Sequence, residues 1–122
     1  MSKRVLVIED HEENRRILRL LLTSAGIEMT EAVTGEEGVA AAEKEPPDLI
    51  LMDIQLPGLD GYEATRRIKA MPDLSHIPII AVTSYALAGD ETKTRAAGCD
   101  AYIAKPFSPR QLLAKVRELL PE

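Results

Sequence analysis

The chain has 122 residues, enough for one domain and too few for two ordinary ones. Hydrophobic residues make up 45% and charged residues 29%, a balance that excludes an intrinsically disordered chain. Fifteen Lys+Arg against twenty Asp+Glu leave a net charge of −5, which argues against nonspecific nucleic-acid binding and against an anionic membrane surface. The first apolar run, Val5–Ile8, is broken by Glu9-Asp10 and is too short for a signal peptide or a membrane span. Helical spacing follows, with Ile17, Leu18, Leu21, Leu22 and Ala25 as the expected apolar stripe and Gly26 as its left-handed stop. A weaker strand near Met29–Val33 leads to a helix opened by Thr34-Gly-Glu-Glu37, where Thr34 caps and Glu37 reaches back. That helix closes before Pro46-Pro47.

Leu49–Met52 is a continuous apolar run, and the next helix starts near Asp60, with Glu63 in the same capping relation, and ends around Pro72. The strand Ile79–Val82 precedes a segment from Leu87 to Gly98 that reads as helix with little apolar area, an internal Gly89 and many charges. Such a helix is expected to be weakly anchored. After Ala101–Ile103, Ser108-Pro109-Arg-Gln111 supplies a cap, a Pro at the first helical position and a Gln at the third. Leu112, Leu113, Val116, Leu119 and Leu120 then share one side. Five strand–helix units describe an α/β domain with a parallel sheet covered on both faces. Residues 1–122 are expected to form a single domain. The lone cysteine, Cys99, has no partner for an intramolecular disulfide, which fits a cytoplasmic location, and it is read as a small packed residue.

Open parallel sheets bind ligands beyond the C-terminal ends of their strands. There the first strand delivers Glu9 and Asp10, the third Asp53, the fourth Thr83 and Ser84, and the fifth Lys105-Pro106. Three carboxylates at one edge repel one another unless a cation joins them. Their charge of −3 is matched by Lys105 and one divalent ion, and the donor set suits Mg²⁺, with Mn²⁺ as an alternative. An Asp beside a divalent cation, a Lys and a hydroxyl is equipped to capture a phosphoryl group on its own carboxylate. Thr83 can donate a hydrogen bond to a phosphoryl oxygen. His11 and His76 belong to no Cys/His cluster with ligand spacing and read as solvated loop residues. Arg15-Arg16 and Arg66-Arg67 read as solvated helix faces, whereas Asn14 and Phe107 should flank the acidic pocket.

These pieces resemble the receiver domain of two-component response regulators, the CheY-like group. The matching runs are Val5 to Asp10, Asp48 to Gly61 with Asp53 at its centre, Ile77 to Ser84, and Ala104-Lys105-Pro106-Phe107. Asp53 and Lys105 stand 52 positions apart, close to the family's separation. Among single-domain receivers, Met52-Asp-Ile-Gln-Leu-Pro57 and Ser75-His-Ile-Pro78 are similar to the DivK type. The resemblance implies a flavodoxin-like, doubly wound five-stranded parallel sheet in the order 2-1-3-4-5. It implies that Asp53 is the phosphoacceptor, served by a histidine kinase or a histidine phosphotransfer protein. It further implies that Asp10 and Asp53 bind Mg²⁺ directly, Glu9 through water and Gln55 through its backbone carbonyl. By the same resemblance Lys105 pairs with the phosphoryl group, Thr83 and Tyr102 form the switch, and the Lys105–Pro106 peptide is cis. Gln55 and Tyr85 match the positions lining the path of the attacking water; neither is a carboxylate base, which implies slow dephosphorylation.

The implied output is a downstream protein reading the surface formed by the fourth helix, fifth strand and fifth helix. No nucleic acid or membrane is expected as a partner, and the expected state is a monomer or weak dimer. The receiver of a hybrid histidine kinase is the alternative setting. A haloacid-dehalogenase-type phosphatase also uses an Asp nucleophile, but it places a second Asp two residues later, where this chain has Gln55. A flavodoxin-like redox carrier needs a phosphate-cradling loop where this chain has Glu9-Asp10-His11-Glu12-Glu13. That loop repels phosphate. Dinucleotide-binding and P-loop signatures are absent.

Overall fold

The computed structural model describes residues 3–84 and 88–120, with the backbone alone for 88–91. Strands and helices alternate as β1 (Arg4–Ile8), α1 (Glu12–Ser24), β2 (Glu28–Ala32), α2 (Gly35–Lys44), β3 (Leu49–Asp53), α3 (Gly61–Lys69), β4 (Ile79–Thr83), α4 (Ala88–Ala97), β5 (Ala101–Ala104) and α5 (Pro109–Leu119). All neighbouring strands pair in parallel, in the order β2-β1-β3-β4-β5. β3 and β4 are buried at every position, which is why their sequences show no polar alternation. The edge strands differ: β2 exposes Glu28 and Glu31, and β5 is only four residues long.

Side chains that alternate along each strand divide the core in two. Leu6, Ile8, Ile50 and Met52 pack with Val39 and Ala42 of α2 and with Ala64 and Ile68 of α3. Val5, Val7, Leu49 and Leu51 pack on the opposite face with Leu18 and Leu22 of α1 and with Leu112 and Val116 of α5. Local chemistry sets the helix ends. Thr34, Asp60 and Ser108 each accept a hydrogen bond from the backbone amide three residues on, and at Ser108 the Gln111 side chain completes the reciprocal pair. Gly26 has φ +77°, the left-handed stop after α1.

Two expectations need correction. Ile17 of the α1 stripe is 50% exposed, as is most of Leu20, so α1 buries only the narrower line through Leu18 and Leu22. Arg15, read as solvated, is 12% exposed, because its guanidinium donates to the Glu9 carbonyl oxygen at 2.9 Å and its Nε to Glu31 at 3.2 Å. Helix α4 is buried through Thr94 and Ala97, small residues as its composition requires. Tyr85 and Leu87 lie outside the described residues.

The loop between β3 and α3 closes tightly over the end of the sheet. A Cβ at Gly61 would collide with the Asp53 carbonyl oxygen and come within 2.6 Å of Ile54 Cα, both backbone atoms that cannot yield cheaply. Gly61→Ala is therefore expected to destabilise the fold by about 1–3 kcal/mol despite alanine's better helix propensity. Urea unfolding of the two proteins checks this, and an unchanged midpoint would mean that the loop adapts freely.

Candidate functional site: an acidic pocket at the end of the sheet

Parallel pairing runs without interruption to the edge where the ionisable residues collect. Glu9 N donates to Ala32 O at 3.0 Å, Ile54 N to Val82 O at 3.2 Å and Lys105 N to Thr83 O at 2.7 Å. Glu9 and Asp53 are almost wholly buried there, at 2% and 3% exposure, while Asp10 sits at the rim with 23% of its side chain exposed. Thr83 is fully buried at the end of β4. The Lys105–Pro106 peptide is cis.

Glu9 gathers the donors. Its Oε1 accepts from Asn14 Nδ2 and from Lys105 Nζ, both at 3.1 Å, and its Oε2 accepts from the His11 amide at 3.0 Å. Burial pushes its pKa up, but the His11 amide and the Lys105 charge outweigh burial and hold the carboxyl at about 2. Asp53 has fewer donors: Oδ1 accepts from the Gln55 amide at 3.0 Å, and Oδ2 lies 3.5 Å from Lys105 Nζ. Burial, and then the charge of Glu9, push its pKa up to about 6 against the pull of Lys105 and the Gln55 amide. Two carboxyls share one buried space, and the charge better compensated by donors belongs to Glu9.

This arrangement fits a hard divalent cation. Among the described residues, Asp10 Oδ1 is buried and accepts no hydrogen bond, an orphan oxygen that a cation would satisfy. Carboxylate oxygens of Glu9, Asp10 and Asp53 lie with a ring nitrogen of His11 within 4.8 Å of one another. Among the described residues, Lys105 ion-pairs with Glu9 and Asp53 and so balances one of the three negative charges. Gln55 is held at the rim, its Oε1 accepting from Ser84 Oγ at 2.7 Å. Glu9, Asp53 and Lys105 line a cleft of about 410 Å³ that extends past Asn14, Ile17 and Phe107. Asn14 and Phe107 do flank the carboxylates. Tyr102 is half-buried on β5, packed against the core that faces α2 and α3 rather than inside the acidic pocket.

Sequence reasoning missed His11. The side chain is 68% exposed, as a loop residue should be, yet its Nδ1 stands 3.3 Å from Glu9 Oε2 and 3.2 Å from Asp10 Oδ1. Adjacency to two metal-type carboxylates was the available signal.

The response regulator receiver domain family matches residues 5–117. This chain belongs to that family. The polar-differentiation response regulators DivK of Brucella ovis and Brucella anthropi are each 42% identical to it over 120 residues, covering 98% of both chains. Among solved structures, the receiver domain of a Pseudomonas aeruginosa sensor histidine kinase is 38% identical with a TM-score of 0.91, covering 98% of both chains; that protein has a magnesium ion coordinated in its active-site cleft. A chemotaxis protein of the CheY kind from Vibrio cholerae is 27% identical with a TM-score of 0.93, covering 98% of this chain and all 100% of that one. The receiver is thus DivK-like, a phosphoacceptor signalling domain of two-component systems on the CheY-like fold.

The raised Asp53 value has a measurable sign. The folded carboxyl holds its proton up to about pH 6, whereas the unfolded one releases it near its ordinary value of 3.8. Ionisation therefore costs stability as pH rises through that interval, and the loss is complete above it. In metal-free buffer at pH 7, Asp53→Asn is expected to melt at a higher temperature than the wild type, with the gap narrowing towards pH 4. Thermal unfolding across pH checks this; a variant that melts lower at pH 7 would show that Asp53 is not a destabilising charge.

Proposed function

We propose that Asp53 accepts the phosphoryl group, and that the other pocket residues serve that transfer. The carrying observation is the convergence of one buried, poorly compensated carboxylate with Lys105 and two further carboxylates at the end of the sheet. The donor is a phosphohistidine on a histidine kinase or phosphotransfer protein. An Asp53 carboxylate oxygen attacks phosphorus, a P–O bond forms, and the P–N bond breaks to release the imidazole. The charge spread over the phosphoryl oxygens meets Lys105 Nζ, which already stands between Glu9 and Asp53. Thr83 donates its hydroxyl to a phosphoryl oxygen once its side chain turns from its buried position.

Asp10 and Asp53 are the residues to hold Mg²⁺ directly, Glu9 through water and Gln55 through its backbone carbonyl; Mn²⁺ suits the same donors. The bound ion supplies charge neutralisation at the phosphoryl oxygens. Gln55 offers no carboxylate two residues after the acceptor, so the protein catalyses only its own phosphorylation and a slow dephosphorylation. We assign residues 1–122 to one receiver domain acting in the cytoplasm as a monomer or weak dimer. Its output is a protein target that reads α4, β5 and α5. The half-buried Tyr102 of β5 lines a shallow groove with Gln111 and Lys115 of α5, a surface that can change when Thr83 moves. A target that binds the two arrangements with different affinity shifts their populations.

Acetyl phosphate with Mg²⁺ is expected to add one phosphate to the wild type and none to Asp53→Asn, read by intact mass. Equal labelling of the variant would overturn the assignment. Lys105→Ala should retain Mg²⁺ binding but lose the conformational response. That response is followed by hydrogen exchange with beryllofluoride, a phosphoryl mimic, and is expected mainly within residues 84–107. Protection confined to α1 and α2 would move the output surface elsewhere.

A further inference from the structure

We propose that His11 turns this pocket into a mixed oxygen–nitrogen cation site that favours Co²⁺ and Zn²⁺ over the ions its carboxylates alone would select. The inference rests on the reading of the pocket as a cation site and adds to it a ligand of a different chemical class.

His11 occupies the N-cap of α1 but forms no side-chain cap. Thr34, Asp60 and Ser108 at the equivalent positions of α2, α3 and α5 all cap their helices. The imidazole turns back over the acidic residues instead. Its Nδ1 stands 3.2 Å from the orphaned Asp10 Oδ1 and 3.3 Å from Glu9 Oε2. A ring nitrogen of His11 also lies within 4.8 Å of an Asp53 oxygen. Two ligands on one ion are separated by at most about 4.2 Å when each bond is near 2.1 Å. The set therefore has to contract by only a few tenths of an ångström at its widest pair. With 68% of the His11 side chain in solvent, the ring can make that adjustment without repacking the core.

The chemistry separates the ions. Mg²⁺ is satisfied by carboxylate, carbonyl and water oxygens and gives up its waters reluctantly, so an imidazole adds little. Borderline ions gain from a nitrogen ligand and follow the order in which Co²⁺ and Zn²⁺ exceed Mn²⁺. Lys105 does not compete with the ring, because it approaches Glu9 on Oε1 and leaves Oε2 to the His11 side. One cluster thus offers an oxygen face to Mg²⁺ and an oxygen–nitrogen face to a softer ion.

The test titrates the purified chain with Mg²⁺ and with Co²⁺, by calorimetry, for the wild type, His11→Asn, His76→Asn and Asp10→Ala. His11→Asn is expected to weaken Co²⁺ by about tenfold or more while changing Mg²⁺ by less than about twofold. In the Co²⁺ complex, proton NMR should show a paramagnetically shifted imidazole N–H that is absent in His11→Asn and kept in His76→Asn. If His11→Asn changes both ions equally, or tightens both, the ring is not a ligand and the proposal fails. If Asp10→Ala leaves both ions bound as in the wild type, the pocket is not the cation site. In that case the functional reading falls first and takes this proposal with it.

Discussion

An ammonium group held between two buried carboxylates sets the terms for the rest of this domain. Lys105 reaches Glu9 at 3.1 Å and Asp53 at 3.5 Å, and both acids are almost without solvent. Removing such charges from water costs several kcal/mol per ion unless partners replace the lost hydration. The replacement here is uneven. Glu9 receives Asn14, the His11 amide and Lys105, while the donors described at Asp53 are the Gln55 amide and, at a longer distance, the same lysine. The under-compensated acid, Asp53, is the one proposed above to take the phosphoryl group, so the electrostatic deficit falls where that proposal places the chemistry.

The same contact ties chain ends together. Lys105 and Glu9 are 96 residues apart and follow β5 and β1, with β3 and β4 lying between those strands in the sheet. Neither acid can find its cation until the sheet is assembled, so the site exists only in the folded protein. The stabilisation that permits this comes from the two apolar layers, where β3 and β4 are buried on both sides.

Most of this was legible because local chemistry and tertiary fold agree. Caps at Thr34, Asp60 and Ser108, the stop at Gly26 and the unbroken apolar runs each have a short-range cause, and the strand ends then deliver Glu9, Asp10, Asp53, Thr83 and Lys105 together. The misses share a different cause. Helical spacing shows which side of α1 faces inward but not where the core gives way to the cleft, so Ile17 has the spacing of the stripe and still stands half exposed. Arg15 is drawn inward by a backbone carbonyl and by Glu31 on β2, neither of which leaves a mark in the pattern of side chains. His11 is a neighbour of Asp10 in sequence, but the direction of its ring depends on how the chain enters α1.

The borders of the sheet carry a consequence for how such a signalling molecule behaves at high occupancy. A strand from a second molecule seeking to extend the sheet at β2 would meet the carboxylates of Glu28 and Glu31, with Arg15 and Arg19 locked onto the latter. At β5 it would find a ladder only four residues long. Charged or curtailed edges are a defence against runaway polymerisation. Any meeting of two copies is therefore steered towards their helices, where it can be brief and reversible. The borders of the sheet thus disfavour fibre growth even where the protein is concentrated.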